Sequence, residues 1–475
     1  MEKRFCAKRA RVLSIFVAVC IFIGCAPLSL PARASNSEML DMAKAAYEDM
    51  LRLYWRGGPE TGHLMREFQG LETDGQQSMI WAHAQMIFAF EALYGATGDE
   101  EIAGRIAAQW EFTKSEFTVK GFAALWGYIK SFFTALWRCE KPVYTREILT
   151  RPGENPNTAV DDAGWDAMAY MTFYRVTGDE AALDYAGKLI RNSYEYWKDG
   201  DTANGLWYPY RPPNHGGDGS SRFKSIYAAA LMVAALDYMR YREDERMMRD
   251  TMNLYAWTEE NLCRRGQIKF TMRPGGEEQA LACGDNLYFV DYNQERDGRV
   301  PFTGPDGAER PLDIREGGSV SSLFGNMAMG VIHARLYRLT GDEGYKTRAL
   351  ETVAALHAAD SPYNNNGVYL NDRDAWTNAA FFRQWVGEVL TLDGITQADR
   401  DMVTATAKSI FASARVEGGY LGPWWSGQIE GTGWRSDHTW PQQLMTSATG
   451  AHVIMAAALL ENTAQKGAGS SVEEK

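Results

Sequence analysis

The chain has 475 residues, 45% of them hydrophobic and 12% aromatic, enough for a sizeable core and far from a disordered composition. Residues 1–34 hold six Lys/Arg and one Asp/Glu, which leaves 43 basic and 60 acidic residues beyond them, a net charge of −17. A surface this acidic repels nucleic acid and anionic lipid, and suits a neutral polymer or a small neutral ligand better.

The leader comes first in the chain. Lys3, Arg4, Lys8, Arg9 and Arg11 form a basic n-region, and residues 12–24 carry no charge, the length of a signal-peptide core and too short to span a bilayer. Two exits fit: a small-residue site ending at Ala34, giving a secreted protein, and a lipobox ending at Cys25, giving a surface lipoprotein. The membrane is therefore met only through a lipid anchor. Three of the six cysteines lie in this leader, and Cys139, Cys263 and Cys283 remain. An odd number excludes full pairing. Either one bridge forms, with Cys263 and Cys283 the nearest pair, or the three are buried apolar residues.

Residues 35–465 read as a single domain, followed by a polar tail over 466–475. A phrase recurs through it: Tyr94 with Thr97-Gly98-Asp99-Glu100, Tyr174 with Thr177-Gly178-Asp179-Glu180, and Tyr337 with Thr340-Gly341-Asp342-Glu343, with a worn copy at Tyr241–Glu245. Each copy closes one helical pattern and opens another, glycine giving the left-handed stop and aspartate the cap. Before these turns the chain is almost free of charge: residues 75–90, 225–236, 317–334 and 441–460 hold no Asp, Glu, Lys or Arg, and residues 163–174 hold only Asp166. After them it is amphipathic and charged. A helix apolar all round is enclosed; a striped one covers a core. Charged helices are expected to start near residues 37, 98, 179, 244, 342 and 396, and enclosed ones near 75, 160, 222, 318, 374 and 440. Six of each in strict alternation predict an all-α fold, an (α/α)6 barrel of six helical hairpins. Two long insertions, 113–157 and 265–316, have room for short hairpins.

The loops that lead into the enclosed helices share a composition rich in Asp, Gly and Trp. They carry Asp74; Asp161, Asp162 and Trp165; Asp218 and Arg222; Glu316 with Gly317 and Gly318; Asp374 and Trp376; Trp434 and Asp437. Six such loops converging on one mouth mark the functional face. Trp425, in a loop with Trp424, is expected as an exposed ring for the apolar face of a sugar, whereas Trp110 and Trp257 are expected in the core. At a helix start, an Asp-Asp pair is by itself most simply a cap and a dipole partner. The enclosed helix it opens, the extra charge of Asp166 one turn on, and the lack of any serine-nucleophile, zinc, phosphate-loop or paired-cysteine motif turn attention to carboxylate chemistry. No loop has recognisable calcium-ligand spacing, and no cofactor or metal is expected.

The string Asp161-Asp162-Ala-Gly-Trp165-Asp-Ala-Met-Ala-Tyr170, followed by the turn at Tyr174–Asp179, resembles the signature of glycoside hydrolase family 76, the endo-α-1,6-mannanases. Trp81-Ala-His83-Ala-Gln85 is similar to the family's first enclosed helix, residues 225–240 to its third, and Trp376–Arg383 to its fifth. The resemblance is loose outside the Asp-Asp motif. It departs at Phe223-Lys224-Ser225, where the family tends to have Lys-Asn, and at residues 321–326 in place of a Tyr-Asn-rich stretch. It implies a hydrolase of a polysaccharide or oligosaccharide, with Asp161 as nucleophile and Asp162 as general acid/base of a retaining reaction. Asp74, His83, Gln85, Trp165, Asp218, Arg222, Asp374, Trp376, Trp425 and Asp437 are the loop and mouth candidates for binding the substrate, and a monomer is expected. Adjacent carboxyls suit retention, which needs about 5–5.5 Å between them, rather than inversion at about 6.5–9.5 Å. A cell-wall transglycosylase on the same barrel and a non-catalytic glycan-binding lipoprotein are the alternatives.

Overall fold

In the repeated turn, the same hydrogen bonds recur three times in this computed structural model. Thr97, Thr177 and Thr340 each donate the hydroxyl back to the carbonyl four residues earlier and accept the N–H of the aspartate two residues on. Gly98, Gly178 and Gly341 take φ of 68°, 70° and 71°, a left-handed conformation that suits glycine. The aspartates then cap the next helix, as Asp179 Oδ1 does for Ala181 N at 3.0 Å. In two copies the tyrosine hydroxyl reaches the glutamate six residues on, Tyr337 to Glu343 at 3.0 Å and Tyr174 to Glu180 at 3.5 Å. The phrase is thus a complete helix-stop and helix-start device.

The structure describes residues 38–64, 80–117, 159–198, 205–206, 224–264, 268–271, 278–281, 287–288, 291–292, 300–303, 309–312, 323–359, 361, 363–369, 381–415, 417–422, 425 and 444–470. Twelve helices lie among them. Six are α2 (Ile80–Thr97), α4 (Val160–Thr177), α6 (Ala229–Tyr238, after a 3-10 turn at Ile226–Ala228), α8 (Leu323–Thr340), α10 (Phe382–Gln384, continuing as π-helix over Trp385–Val389) and α12 (Leu444–Ser470). These are the expected enclosed helices. Each packs on the next, and α12 packs back on α2, so the ring closes. The other six are α1 (Glu38–Tyr54), α3 (Glu100–Phe117), α5 (Glu180–Trp197), α7 (Glu245–Asn261), α9 (Glu343–His357) and α11 (Gln397–Ser409, continuing as π-helix over Ile410–Ala414). They start within two residues of the charged-helix positions read from the sequence. They pack outside the ring, for example α5 on α4 and α6, and α9 on α8. The fold is an all-α barrel of six inner and six outer helices. The last helix, α12, runs past the boundary expected at residue 465.

Contacts at matching heights show that the inner helices run parallel. From α2 to α4, Phe88 meets Trp165 and Glu91 meets Arg175; from α4 to α6, Gly164 meets Ala230 and Arg175 meets Asp237. From α6 to α8, Ile226 meets Gly325 and Val233 meets Arg335; from α8 to α10, Gly330 meets Trp385 and Arg335 meets Glu388. From α10 to α12 and back to α2, Arg383 meets His452 and Leu459 meets Gly95. All six N-termini therefore lie at one end.

Near the other end the barrel interior is crossed by charge. Arg175 bonds Glu91 at 2.7 Å and Asp237 at 2.6 Å, Arg335 bonds Glu388 at 2.7 Å, and Arg383 bonds Glu91 at 2.8 Å. Burial pushes the Glu91 carboxyl up, but Arg175 and Arg383 outweigh it and hold it at about 2. The same opposition, burial against Arg175 and Arg335, leaves Asp237 well below the usual carboxylate range. Five inner helices are tied together this way; from α12, the neutral His452 takes the Arg383 N–H instead.

The second insertion carries antiparallel hairpins, as expected. β3 (Ile268–Thr271) pairs with β4 (Glu278–Leu281), and β7 (Val300–Thr303) with β8 (Glu309–Leu312). Two short ladders return it to the barrel: β1 (Lys224–Ser225) with β6 (Asp291–Tyr292), and β2 (Cys263–Arg264) with β5 (Leu287–Tyr288). Tyr288 anchors the second of them. Its N–H donates to Asn326 Oδ1 at 2.9 Å, and its hydroxyl donates to Glu259, which also receives Arg348 at 2.8 Å. Cys263 is a free, half-buried thiol, so it takes part in no bridge; Cys139 and Cys283 lie outside the described residues. The described residues contain no helix long and apolar enough to cross a membrane.

Candidate active site

The Asp161–Asp162 pair opens α4 at the end where all inner helices begin. Ala159 is the N-cap and has no side-chain oxygen to offer. Asp162 supplies the compensation: its Oδ2 accepts the Ala159 N–H at 3.0 Å, one half of a capping box. The bland reading of the pair as a helix cap is thus true of Asp162. It is not the whole account, because the carboxyl is also desolvated. Burial raises the Asp162 proton affinity, the Ala159 N–H lowers it, and the balance is about 6. Asp161 is buried, with 6% of its surface exposed.

The residues that follow hold this turn in place. Gly164 faces α6, where a Cβ would lie 2.5 Å from the carbonyl carbon of Ala230 and 2.6 Å from Leu231 N. Only glycine lets the two backbones approach so closely. Trp165, one turn below Asp161, is 1% exposed and fills the barrel centre. It stacks on Phe381 with centroids 5.3 Å apart, and meets Phe324 at 5.1 Å and Phe88 at 6.4 Å. Tyr227 completes the layer against Phe324 at 4.9 Å. Side chains from α2, α4, α8 and the segments entering α6 and α10 thus form an aromatic floor beneath the mouth. Trp165, expected among the substrate-binding residues, is a buried base beneath the pair.

On α2, His83 is half-buried and Gln85 is fully buried. Phe88 and Trp165 meet, and Gln85 and Asp161 lie three and four residues nearer their N-termini, about 5 and 6 Å up the barrel at the helical rise. The structure therefore brings Asp161, Asp162, Trp165, His83 and Gln85 to one end. The expectation for Trp425 fails: the ring is fully buried and packs edge-on to Phe382 at 5.9 Å, because the barrel uses it as core bulk. Trp110 is core as expected, stacked on Phe173 at 5.3 Å, and Trp257 packs half-buried against the core. Asp74, Asp218, Arg222, Asp374, Trp376 and Asp437 lie outside the described residues.

Sequence reasoning did not find the floor residues Phe88, Phe324 and Phe381. The available signal was the departure at 321–326, where Phe324 and Asn326 replace the family's polar opening. Both are buried, one on Trp165 and the other on the Tyr288 N–H. The second departure is also structural: Lys224 lies over the Trp257 ring at 5.1 Å and the Ser225 hydroxyl accepts the Tyr227 N–H. Among the described residues no group of three or more His, Cys, Asp or Glu is placed to hold a metal ion.

No protein-family model matches the sequence, and neither does any curated protein. Solved structures do match in fold. The GH76 α-mannanase of Bacteroides thetaiotaomicron is 16% identical with a TM-score of 0.60, covering 91% of this chain and 98% of its own. The α-1,6-mannanase GH76A of Salegentibacter sp. HEL1_6 is 15% identical with a TM-score of 0.58, covering 89% and 100%; the matched form is an inactive variant with two consecutive aspartates replaced by alanine, in complex with α-1,6-mannotetrose. Dfg5 from Chaetomium thermophilum, in complex with glucosamine, is 13% identical with a TM-score of 0.56, covering 91% and 93%. The chain has the fold of the family 76 glycoside hydrolases.

Proposed function

We propose that this protein is an exported glycoside hydrolase that cleaves α-1,6-linked mannan internally, with retention of configuration. The observation that carries the reading is the adjacent carboxyl pair in the first turn of an inner helix, one member of it held at about 6 by burial. A carboxyl with that proton affinity is still partly protonated near neutral pH, as a general acid must be. Asp162 protonates the glycosidic oxygen as the bond to the anomeric carbon breaks. Asp161 attacks that carbon and forms a glycosyl ester. Asp162, now a carboxylate, takes a proton from water, and the resulting hydroxide displaces Asp161. His83 and Gln85, and beyond the described residues Asp74, Asp218, Arg222, Asp374, Trp376 and Asp437, are proposed to line the sugar subsites. Trp165 supports the pair from below.

Support comes from the shared fold and from the Salegentibacter enzyme, in which replacement of two consecutive aspartates gives an inactive variant. The second reading, a cell-wall transglycosylase, uses the same ester but passes the glycosyl group to a sugar hydroxyl. The fold is shared as well by Dfg5, seen with glucosamine rather than a mannan oligosaccharide, so the sugar and the acceptor are the points on which the two readings part. Incubating the purified protein with linear α-1,6-mannan and sizing the products decides between them. Shorter oligosaccharides support the hydrolase and longer products the transglycosylase. Unchanged mannan that is nevertheless bound points to a glycan-binding protein and overturns both.

A further inference from the structure

Asp166 is a carboxyl that the reaction above does not use. It lies four residues after Asp162 on α4, so the two side chains stack on one face, their Cβ atoms about 5–6 Å apart. Both are half-buried. Asp162 has the Ala159 N–H and the helix N-terminus to favour its charge. Asp166 has no hydrogen bond or ion pair among the described residues. Its surroundings on this side are aromatic: Tyr170 one turn further on packs against Trp110 of α3 at 5.9 Å and Tyr185 of α5 at 6.1 Å. The titratable groups here are Asp161, Asp162 and Tyr170 on α4, Tyr185 on α5 and, at the mouth end of α2, His83. Among the described residues of the neighbouring outer helices, Lys188 lies over Tyr185 and Lys114 of α3 bonds Asp179. From α2 and α6, the charged groups facing α4 are Glu91 and Asp237, both bound to Arg175 toward the other end.

We propose that Asp166 is a positioning residue that acts through Asp162: the two carboxyls share one proton through a water between them, and the proton held on Asp166 is available to Asp162 before cleavage. The proposal rests on the reading of Asp162 as the general acid. Two carboxyls this close, with no cation bonded to either among the described residues and an aromatic wall beside them, release their protons in two separated steps that belong to the pair. Burial, and then the charge of Asp162, push the Asp166 carboxyl well above the usual range. The retained proton keeps a fraction of Asp162 protonated at pH values where a lone carboxyl of its affinity would be spent. The pair loses one proton to the leaving oxygen and regains one from the attacking water, so the cycle balances.

The test has two arms. In the first, kcat/KM on linear α-1,6-mannan is measured against pH for the wild type and Asp166→Asn. The variant is expected to keep its activity at pH 5 and to lose about tenfold at pH 8 relative to pH 5, beyond any loss in the wild type, one pH unit of displacement. An alkaline limb identical in the two proteins overturns the proposal. In the second, the infrared band of protonated carboxyls is followed against pH in substrate-free wild type and in Asp162→Asn. Removing the partner's charge is expected to shift the highest-pH loss of this band downward; an unchanged midpoint overturns the proposal. This arm needs no turnover and no Asp166 variant, so it decides the matter if Asp166→Asn fails to fold. Absence of activity on mannan with the infrared shift intact would count against the hydrolase reading alone.

Discussion

The indole of Trp165 stacks on the ring of Phe381, with centroids 5.3 Å apart and planes inclined by 23°. This contact joins the helix that bears the carboxyl pair to the segment entering α10, across the barrel interior. Truncating either ring leaves a cavity beneath the mouth. Trp165→Ala is expected to cost about 3–5 kcal/mol. Phe381→Leu keeps most of the volume and is expected to cost about 1–1.5 kcal/mol. Urea unfolding of both variants checks the order; equal and negligible costs would mean that the layer is not a packed floor.

Gly164 sets how far α4 stands from α6. A methyl group there meets main-chain atoms at 2.5 and 2.6 Å, which cannot rotate away. Gly164→Ala is therefore expected to push the first turn of α4 out of place. The expected outcome is a folded protein with kcat on mannan reduced about a hundredfold, as a displacement of about 1 Å can do. Full activity in that variant would show that the turn has room.

The charged layer opposite the site makes a stability prediction with a definite sign. Removing one partner of a buried pair strands the other, so Arg335→Met is expected to cost about 3–5 kcal/mol. Its partner Glu388 is held below its ordinary value, where burial is outweighed by Arg335, and Glu91 is held at about 2. Carboxyls depressed in this way stabilise the fold fully above their unfolded value of about 4, and that contribution is lost as pH falls toward about 2. Wild type should lose stability steeply over that window, and Arg335→Met less so. Parallel acid dependence in the two proteins would contradict the assignment.

Asp162 works in the opposite sense. Its folded value of about 6 lies above the unfolded one, so ionising it as pH rises through that range costs stability. Asp162→Asn keeps a side-chain oxygen for the Ala159 N–H and removes the charge. It should be more stable than wild type at pH 7.5, by about 1–3 kcal/mol, and the gain should shrink toward pH 4. Thermal unfolding across that range reads it; a gain independent of pH would mean that the carboxyl is not desolvated.

Local devices were readable in the amino-acid sequence and cross-barrel ones were not. The Thr-Gly-Asp turns announce themselves, because every bond in them spans six residues or fewer, and they locate three of the outer helices, α3, α5 and α9, to within two residues. The charge-free runs marked the inner helices, yet four of them stop just short of Glu91, Arg175, Asp237 and Arg335. Sorting by absence of charge clipped off the residues that meet in the middle of the barrel. Each is isolated in its own helix, and only closure of the ring brings it to a partner 53 to 84 positions away. Trp425 misled for a related reason: a tryptophan in a Gly-Pro loop looks exposed until the helix that covers it, α10, is in place. The Asp-Asp motif was visible as a motif, but its depth, the glycine contact behind it and the floor beneath it belong to packing.

The central claim is that Asp161 and Asp162 together perform the cleavage. The direct measurement is the release of reducing ends from linear α-1,6-mannan by wild type, Asp161→Asn and Asp162→Asn, each verified as folded by circular dichroism. The account predicts turnover by the wild type and a loss of about a thousandfold or more in each variant, since one lacks the nucleophile and the other the acid. A folded Asp161→Asn protein that cleaves at the wild-type rate would contradict it.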